Sequence, residues 1–239
     1  MPLIAAYHRP RAIDDALSLL ADRRRRPIGG GTTITADREP SDLEVVDLQA
    51  LGLDGIQRAE DTVLLGATAT LAAVATHADV PEAVRTLARA EAPSTIRTLA
   101  TVGGSVGAAD ADSMFVAALL AHRAEVRLAG ADDRPLVDLL SEGMPTGSIV
   151  TGVEIEPGGV TTYATTGRTP ADTPIVGAVG RIADDSITLA LVGVAATPVL
   201  VPADAPTENL TPPDDFRGSA TYRTELATVL ARRVVEALR

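Results

Sequence analysis

Two short stretches bring together residue types that can do chemistry. The first is Gly29-Gly30-Gly31-Thr32-Thr33-Ile34, and the second is Thr101-Val102-Gly103-Gly104-Ser105, with Asp110 a few residues on. Glycines leave backbone N–H groups free of Cβ obstruction, and the hydroxyls beside them are further donors. Several N–H dipoles that converge on one point make a concavity for an anionic oxygen. A diphosphate has more oxygens than one such turn can satisfy, so two turns facing each other could hold it from both sides. Neither stretch is a common nucleotide signature. The first lacks the lysine of a P-loop, and "GGSVGAAD" does not have the G-x-G-x-x-G spacing of a dinucleotide fold. Taken singly, either could be an ordinary turn.

Composition bounds what else the chain can do. Its 239 residues suit one large domain or two smaller ones. Hydrophobic residues make up 46% and aromatics only 2%, so a sizeable core must be built from Ala, Val, Leu and Ile. With no cysteine, the chain has no disulfide, thiolate metal site or iron–sulfur ligation of its own. A net charge of −11 argues against a nucleic-acid surface, which needs clustered positive charge. The basic run Arg23–Arg26 follows an amphipathic stretch and reads as a complement to a helix C-terminus. His8, His77 and His122 show no metal-ligand spacing, so no metal site is expected. No secretory signal or membrane span is read in the chain, and the cytoplasm is the expected compartment.

The elements that must position the two stretches follow from periodicity. Ile13, Ala16, Leu17 and Leu20 share one face of an opening helix, with Asp14 and Asp15 at its positive end. "LEVVDL" and "TVLLGATATL" read as strands, "LAAVATHA" and "VPEAVRTLARA" as helices. After the second glycine stretch "SMFVAALLAHRA" is helical, and "AEVRLAG", "RPLVDLL" and "SIVTGVEIE" read as strands. The Pro157-Gly158-Gly159 turn marks a boundary. Beyond it "GVTTYATTG", "PIVGAVGRIA" and "SITLALVGVAA" suggest an antiparallel meander, and the prolines of 198–214 suggest a loop. Ser219 can cap a last helix with Tyr222, Leu226, Val229, Leu230, Val234 and Leu238 as its buried stripe. The class is α+β with mixed sheets.

In this order and at these separations, "YHRPRAIDDALSLL", "IGGGTTI", "VVDL", "LLGATATLAAV", "IRTLATVGGSVGAAD", "FVAALLAHRAEVRL", "TPIVGAVGRI" and "SATYRTELATVLARRVVEAL" resemble one family. It is the FAD-binding (medium) subunit of molybdenum hydroxylases, of the xanthine dehydrogenase, carbon monoxide dehydrogenase and aldehyde oxidase type. The likeness covers nearly the whole chain. It implies a two-lobed FAD-binding domain over 1–157, with a small α/β lobe of about 1–50 and a larger mixed-sheet lobe of 51–157. A C-terminal antiparallel sheet with a terminal helix would occupy 158–239. It further implies that Gly29, Gly30, Gly31, Thr32, Thr33 and Ile34 hold the FAD diphosphate with Thr101, Val102, Gly103, Gly104 and Ser105, and that Asp110 belongs to the flavin site. The implied enzyme is an oxidoreductase. Electrons would come from [2Fe-2S] clusters on a small partner, and the molybdenum cofactor would sit on a large one. The acceptor would be NAD or a quinone.

The chain departs from that family at identifiable places. Ala111 stands where relatives have proline, Met114 stands where they have a further acid, and Asp112 is out of register with it. In "GRTPADTPIVG", Arg168 and Asp172 fit the family and Thr173 and Pro174 do not. Tyr7 and Phe115 are readable as core residues or as ring contacts. Two other functions therefore stay open: a flavin-free scaffold related to this subunit, and a stand-alone flavin oxidoreductase.

Overall fold

The computed structural model describes residues 4–34, 42–167 and 172–239. Three sheets organise an α+β chain. The first lobe contains β1 (Ala6–His8), α1 (Ile13–Leu20), β2 (Arg25–Ile28) and β3 (Glu44–Asp47), followed by a 3-10 turn over Gln49–Leu51. Its strands are parallel in the order β1-β3-β2. Val45 and Val46 of the central strand are fully buried, and Ala16, Leu20, Val46 and Leu48 close the small core with Ile149. The helix periodicity thus finds α1, yet a strand precedes it. Half of the basic run is also strand: Arg25 pairs with Glu44 at 2.7 Å and donates to the Leu19 carbonyl at 3.2 Å, while Arg24 pairs with Asp22. Among the described residues, Arg25 is the member of the run that serves the end of α1.

The second lobe adds β4 (Ile56–Arg58), β5 (Val63–Gly66), α2 (Leu71–Val74), α3 (Glu82–Ala90), α4 (Ser94–Arg97), α5 (Val102–Ala108), α6 (Met114–Ala121), β6 (Glu125–Ala129), β7 (Arg134–Pro135), α7 (Leu136–Glu142) and β8 (Ile149–Ile155). Its five strands pair antiparallel in the order β4-β5-β8-β6-β7. Every residue of α6 is buried, as befits a helix apolar on all sides. The stretch "RPLVDLL" is a strand only at Arg134–Pro135 and then a helix. Leu136 and Leu139, three apart, are its buried pair, and such spacing suits a helical face rather than a pleat. The second glycine stretch is likewise a helix rather than a turn, since Val102 to Ala108 form α5.

The last sheet is β12-β11-β10-β9, built from β9 (Val160–Thr166), β10 (Val176–Ala183), β11 (Ser186–Val192) and β12 (Val199–Val201), and α8 (Ala220–Ala237) closes the chain. The meander is antiparallel as its turns suggest, and the proline-rich segment begins with the short strand β12. Alternate residues face two ways: Val179, Ala190 and Val192 join the main core around α6, and Val176, Ala178, Leu189 and Leu191 pack with α8. Ser219 caps α8 by accepting the Tyr222 N–H at 3.2 Å. The buried stripe differs from the expected one, being Arg223, Ala227, Leu230, Ala231, Val234 and Val235, with Leu238 beyond, while Tyr222 is exposed. The cause is Arg223, whose guanidinium reaches both Asp215 oxygens (2.9 and 2.8 Å) and the carbonyls of Ile175 (2.8 Å) and Gly193 (2.9 Å).

His122 joins the second lobe to this sheet. Its ring nitrogens meet the Glu156 carbonyl at 2.7 Å and the Thr161 hydroxyl at 3.1 Å. Burial pushes its pKa down to about 4. Among the described residues no helix is long and apolar enough to cross a membrane.

Candidate functional site

The first glycine stretch leaves the C-terminal end of β2. Ile28 accepts the Leu48 N–H at 2.9 Å, and the Gln49 side chain donates to the Gly29 carbonyl at 3.0 Å. Gln49 is itself held by Asp47, whose Oδ1 accepts its N–H at 2.9 Å. Asp47 is buried at the end of β3, where it also takes the Tyr7 hydroxyl and lies 3.3 Å from the Arg9 guanidinium. The bond to Asp47 holds the Tyr7 hydroxyl above its ordinary pKa. Tyr7 is thus an exposed support of the first loop, and Phe115 is a fully buried core residue.

The two stretches touch. A Cβ on Gly30 would fall on the Leu99 carbonyl oxygen, and one on Gly29 would fall on the Thr101 side chain. Backbone therefore lies against backbone, which only glycine permits. Gly31 has φ +71°, in the left-handed region where glycine carries no Cβ penalty. From there the chain turns through Thr32, Thr33 and Ile34, the last of these half-buried.

The amides of the two stretches differ in use. On the second, Val102 donates to the Ala69 carbonyl (3.0 Å), Gly103 to Ala67 (2.8 Å), Gly104 to the Thr101 hydroxyl (3.1 Å) and Ser105 to the Thr101 carbonyl (2.9 Å). All four donors are thus already engaged within the chain. Val102 is fully buried, and a Cβ on Gly103 would stand 2.9 Å from that of Ala67, so these two residues set α5 against the neighbouring turn. On the first stretch, the amides of Gly30 and Thr32 have no partner among the described residues. The same holds for the hydroxyls of Thr32, Thr33 and Ser105.

A cavity of about 240 Å³ opens between the stretches. Thr32, Thr33, Thr101, Gly104, Ser105 and Asp110 line it, together with Ser113, Glu91 and the apolar Leu71, Ile96 and Ala100. Asp110 follows Ala109, which has φ +49°, and accepts the Asp112 N–H at 3.0 Å. The C-terminal part of the chain anchors this loop: Arg217 pairs with Asp112 and donates to the Thr173 and Pro174 carbonyls, and the Gly193 N–H bonds the Ala111 carbonyl at 2.9 Å. Met114 points the other way, into the core against Gly177. Asp172 is exposed, and Arg168 lies outside the described residues. A second cavity of about 270 Å³, lined by Leu120, Ala124, Pro135, Val137 and Leu200 with Arg123 and Glu125, meets neither glycine stretch.

Glu91 and Ser113 are polar lining residues that sequence reasoning missed, and Glu91 is the charged one. Its Oε2 accepts the Phe115 N–H at 3.0 Å and its other oxygen takes the Ser113 hydroxyl. Burial pushes its pKa up, against the opposing pull of these two bonds. In the sequence it is a lone acid at the end of an amphipathic stretch, the usual mark of a solvated position.

Comparison with known proteins adds an independent line. Residues 3–155 match the family described as the FAD binding domain in molybdopterin dehydrogenase. The carbon monoxide dehydrogenase medium chain of Afipia carboxidovorans is 28% identical over 274 residues, covering 96% of this chain and 95% of its own. The protein YgfM of Escherichia coli is 24% identical over 246 residues, covering 95% and 94%. Among solved structures, the carbon monoxide dehydrogenase of Hydrogenophaga pseudoflava that lacks the Mo-pyranopterin moiety superposes with a TM-score of 0.90 at 19% identity. That superposition covers 100% of this chain and 98% of the other.

Proposed function

Since the chain belongs to the family of FAD-binding domains of molybdopterin dehydrogenases, we propose that it is the flavin subunit of a multi-subunit molybdenum hydroxylase that passes electrons to NAD or a quinone. The observation that carries this reading is the contact of the two glycine stretches around one cavity. The residues there fit FAD. The Gly30 and Thr32 amides and the Thr32, Thr33 and Ser105 hydroxyls are donors for a diphosphate, and the Thr101 hydroxyl keeps its proton to donate while it accepts from Gly104. Gly29, Gly30 and Gly31 let the first loop lie against the second. Gly103 and Val102 seat α5, Ile34 is the half-buried apolar residue of the loop, and Asp110 is an acceptor for cofactor hydrogen-bond donors.

Bound FAD would supply the exchange between one- and two-electron chemistry, which the protein positions and tunes. The chain's own work is to grip the diphosphate, orient the flavin and keep water from part of it; no proton-transfer residue is required. The partners are a small subunit with [2Fe-2S] clusters and a large one with the molybdenum cofactor. The carbon monoxide dehydrogenase relative supports this, as does the lack of cysteine for a cluster here. The proposed division is a FAD-binding domain over 1–157 and a C-terminal domain over 158–239, with the cytoplasm as compartment.

The test is a titration of the purified full chain with FAD, followed by absorption. Flavin bands that stay with the protein are expected. A chain that carries no flavin and takes up none would overturn the reading and leave the flavin-free scaffold in its place.

A further inference from the structure

We infer that Glu91 is a cofactor-contacting residue, whose carboxylate accepts a hydrogen bond from a hydroxyl or imide N–H of the flavin at the end of the cavity away from the diphosphate. This rests on the function proposed above. Glu91 lines the same cavity as Thr32, Thr33, Ser105 and Asp110. Its carboxylate is held in place from behind: Phe115 donates its N–H at 3.0 Å, and Ser113 donates its hydroxyl while its own oxygen accepts the Val116 N–H at 3.1 Å. An ionised carboxylate offers about four lone-pair sites, and these two bonds use about half of them. Among the described residues no Lys, Arg or His lines the cavity, and Leu71, Ile96 and Ala100 offer no side-chain donor. The lone pairs that remain on Glu91 are acceptor capacity for a donor on a bound ligand.

The cavity is also chemically polarised. Thr101 caps the start of α5 and Asp110 lies just past its end. At 1.5 Å of rise per residue, this helix separates the hydroxyl-bearing end from the carboxylate end by roughly 10 Å. Glu91 and Ser113 are at the carboxylate end, since the Ser113 hydroxyl donates to Glu91 and the Ser113 N–H bonds the Asp110 carbonyl at 3.0 Å. Two carboxylates repel a phosphate and attract donors. A ligand with an anionic bridge at one end and hydroxyl or N–H donors at the other matches this arrangement, whereas one with anions at both ends does not.

The experiment titrates full-length apoprotein with FAD and measures the inhibition constant of ADP, which has the diphosphate but neither ribityl chain nor ring, by its displacement of FAD. Glu91→Gln keeps the size and one acceptor. It is expected to weaken FAD about tenfold, the scale of one hydrogen bond to a charged group, with ADP changed less than twofold. Ser113→Ala loosens the same carboxylate without removing it. It is expected to weaken FAD about threefold, again with ADP unchanged, and it serves should the Gln protein not fold. FAD affinity within twofold of wild type in both proteins overturns the inference, as does an equal loss for FAD and ADP, the signature of a merely structural role. Failure of the wild type to bind FAD would instead remove the proposed function itself.

Discussion

Replacing Gly30 with alanine puts a methyl group where the Leu99 carbonyl oxygen already stands, with the Leu99 carbonyl carbon beside it and the Ala100 nitrogen 3.1 Å away. Both sides of the clash are backbone, so no rotamer change relieves it. The second stretch is fixed by Ala100 N–H to Ile96 at 2.8 Å and Leu71 N–H to Ala100 at 2.9 Å, and the first by the pairing of β2 with β3. Overpacking by one methyl costs about 1–3 kcal/mol, and a backbone contact belongs at the upper end. The loop escapes by moving away from α5, which separates the donors meant to converge on one diphosphate. A loss of about 2.7 kcal/mol in binding is a hundredfold in affinity. The assay is flavin fluorescence on titration of wild-type, Gly30→Ala and Gly52→Ala proteins, with urea unfolding of each. Gly52 has φ +69° and nothing within 4 Å of its added Cβ, so its substitution strains backbone without touching the site. Gly30→Ala is expected to bind FAD about a hundredfold more weakly and Gly52→Ala to bind as wild type does. A Gly30→Ala protein that keeps both wild-type stability and FAD affinity within threefold would refute the argument from backbone contact.

Two further outcomes follow from buried polar groups. His122 has a folded pKa of about 4, below the 6.5 of a free imidazole, so the unfolded chain binds the proton first as pH falls. Its contribution is then intact above about pH 6.5 and declines by roughly 3 kcal/mol on the way down to about pH 4. Urea midpoints across that range should show a flatter acid limb for His122→Gln than for wild type, and identical limbs would contradict the assignment. Arg223→Ala leaves Asp215 and the Ile175 and Gly193 carbonyls without their buried donor. The expected loss is about 3–5 kcal/mol in urea unfolding, which Arg223→Lys does not restore because an ammonium cannot span those four acceptors. A loss below about 1 kcal/mol, the size of an exposed ion pair, would refute it.

What the sequence discloses about this chain depends on how local the deciding contacts are. The helix α1 has its buried residues on one face, α6 is apolar on all sides, and β8, β9, β10 and β11 are β-branched or apolar runs of seven or eight residues bounded by turns, so their patterns are plain. The strands β1, β2 and β4 are three or four residues long, and none of their residues is fully buried, so nothing in "AYH", "RRPI" or "IQR" alternates. The rotation of α8 is hidden because Arg223 reads as a solvent residue until Asp215, Ile175 and Gly193 surround it. The glycine stretches are legible as places where side chains are unwelcome. Which of their amides remain available is not, because Ala67 and Ala69, well over thirty residues upstream, take those of Gly103 and Val102. Glu91 is hidden for the same reason, since its partners Ser113 and Phe115 lie 22 and 24 residues on.

The tether from Arg217 to Asp112 joins residues 105 positions apart. Chains leave the ribosome N-terminus first. Both glycine stretches have emerged long before Arg217, but the loop of Asp110 beside them lacks its anchor until then. Gly193, which holds Ala111, arrives late as well. The cleft is thus finished only after the β9–β12 sheet and Arg217 have been made, and on the function proposed here flavin capture waits for that sheet to dock.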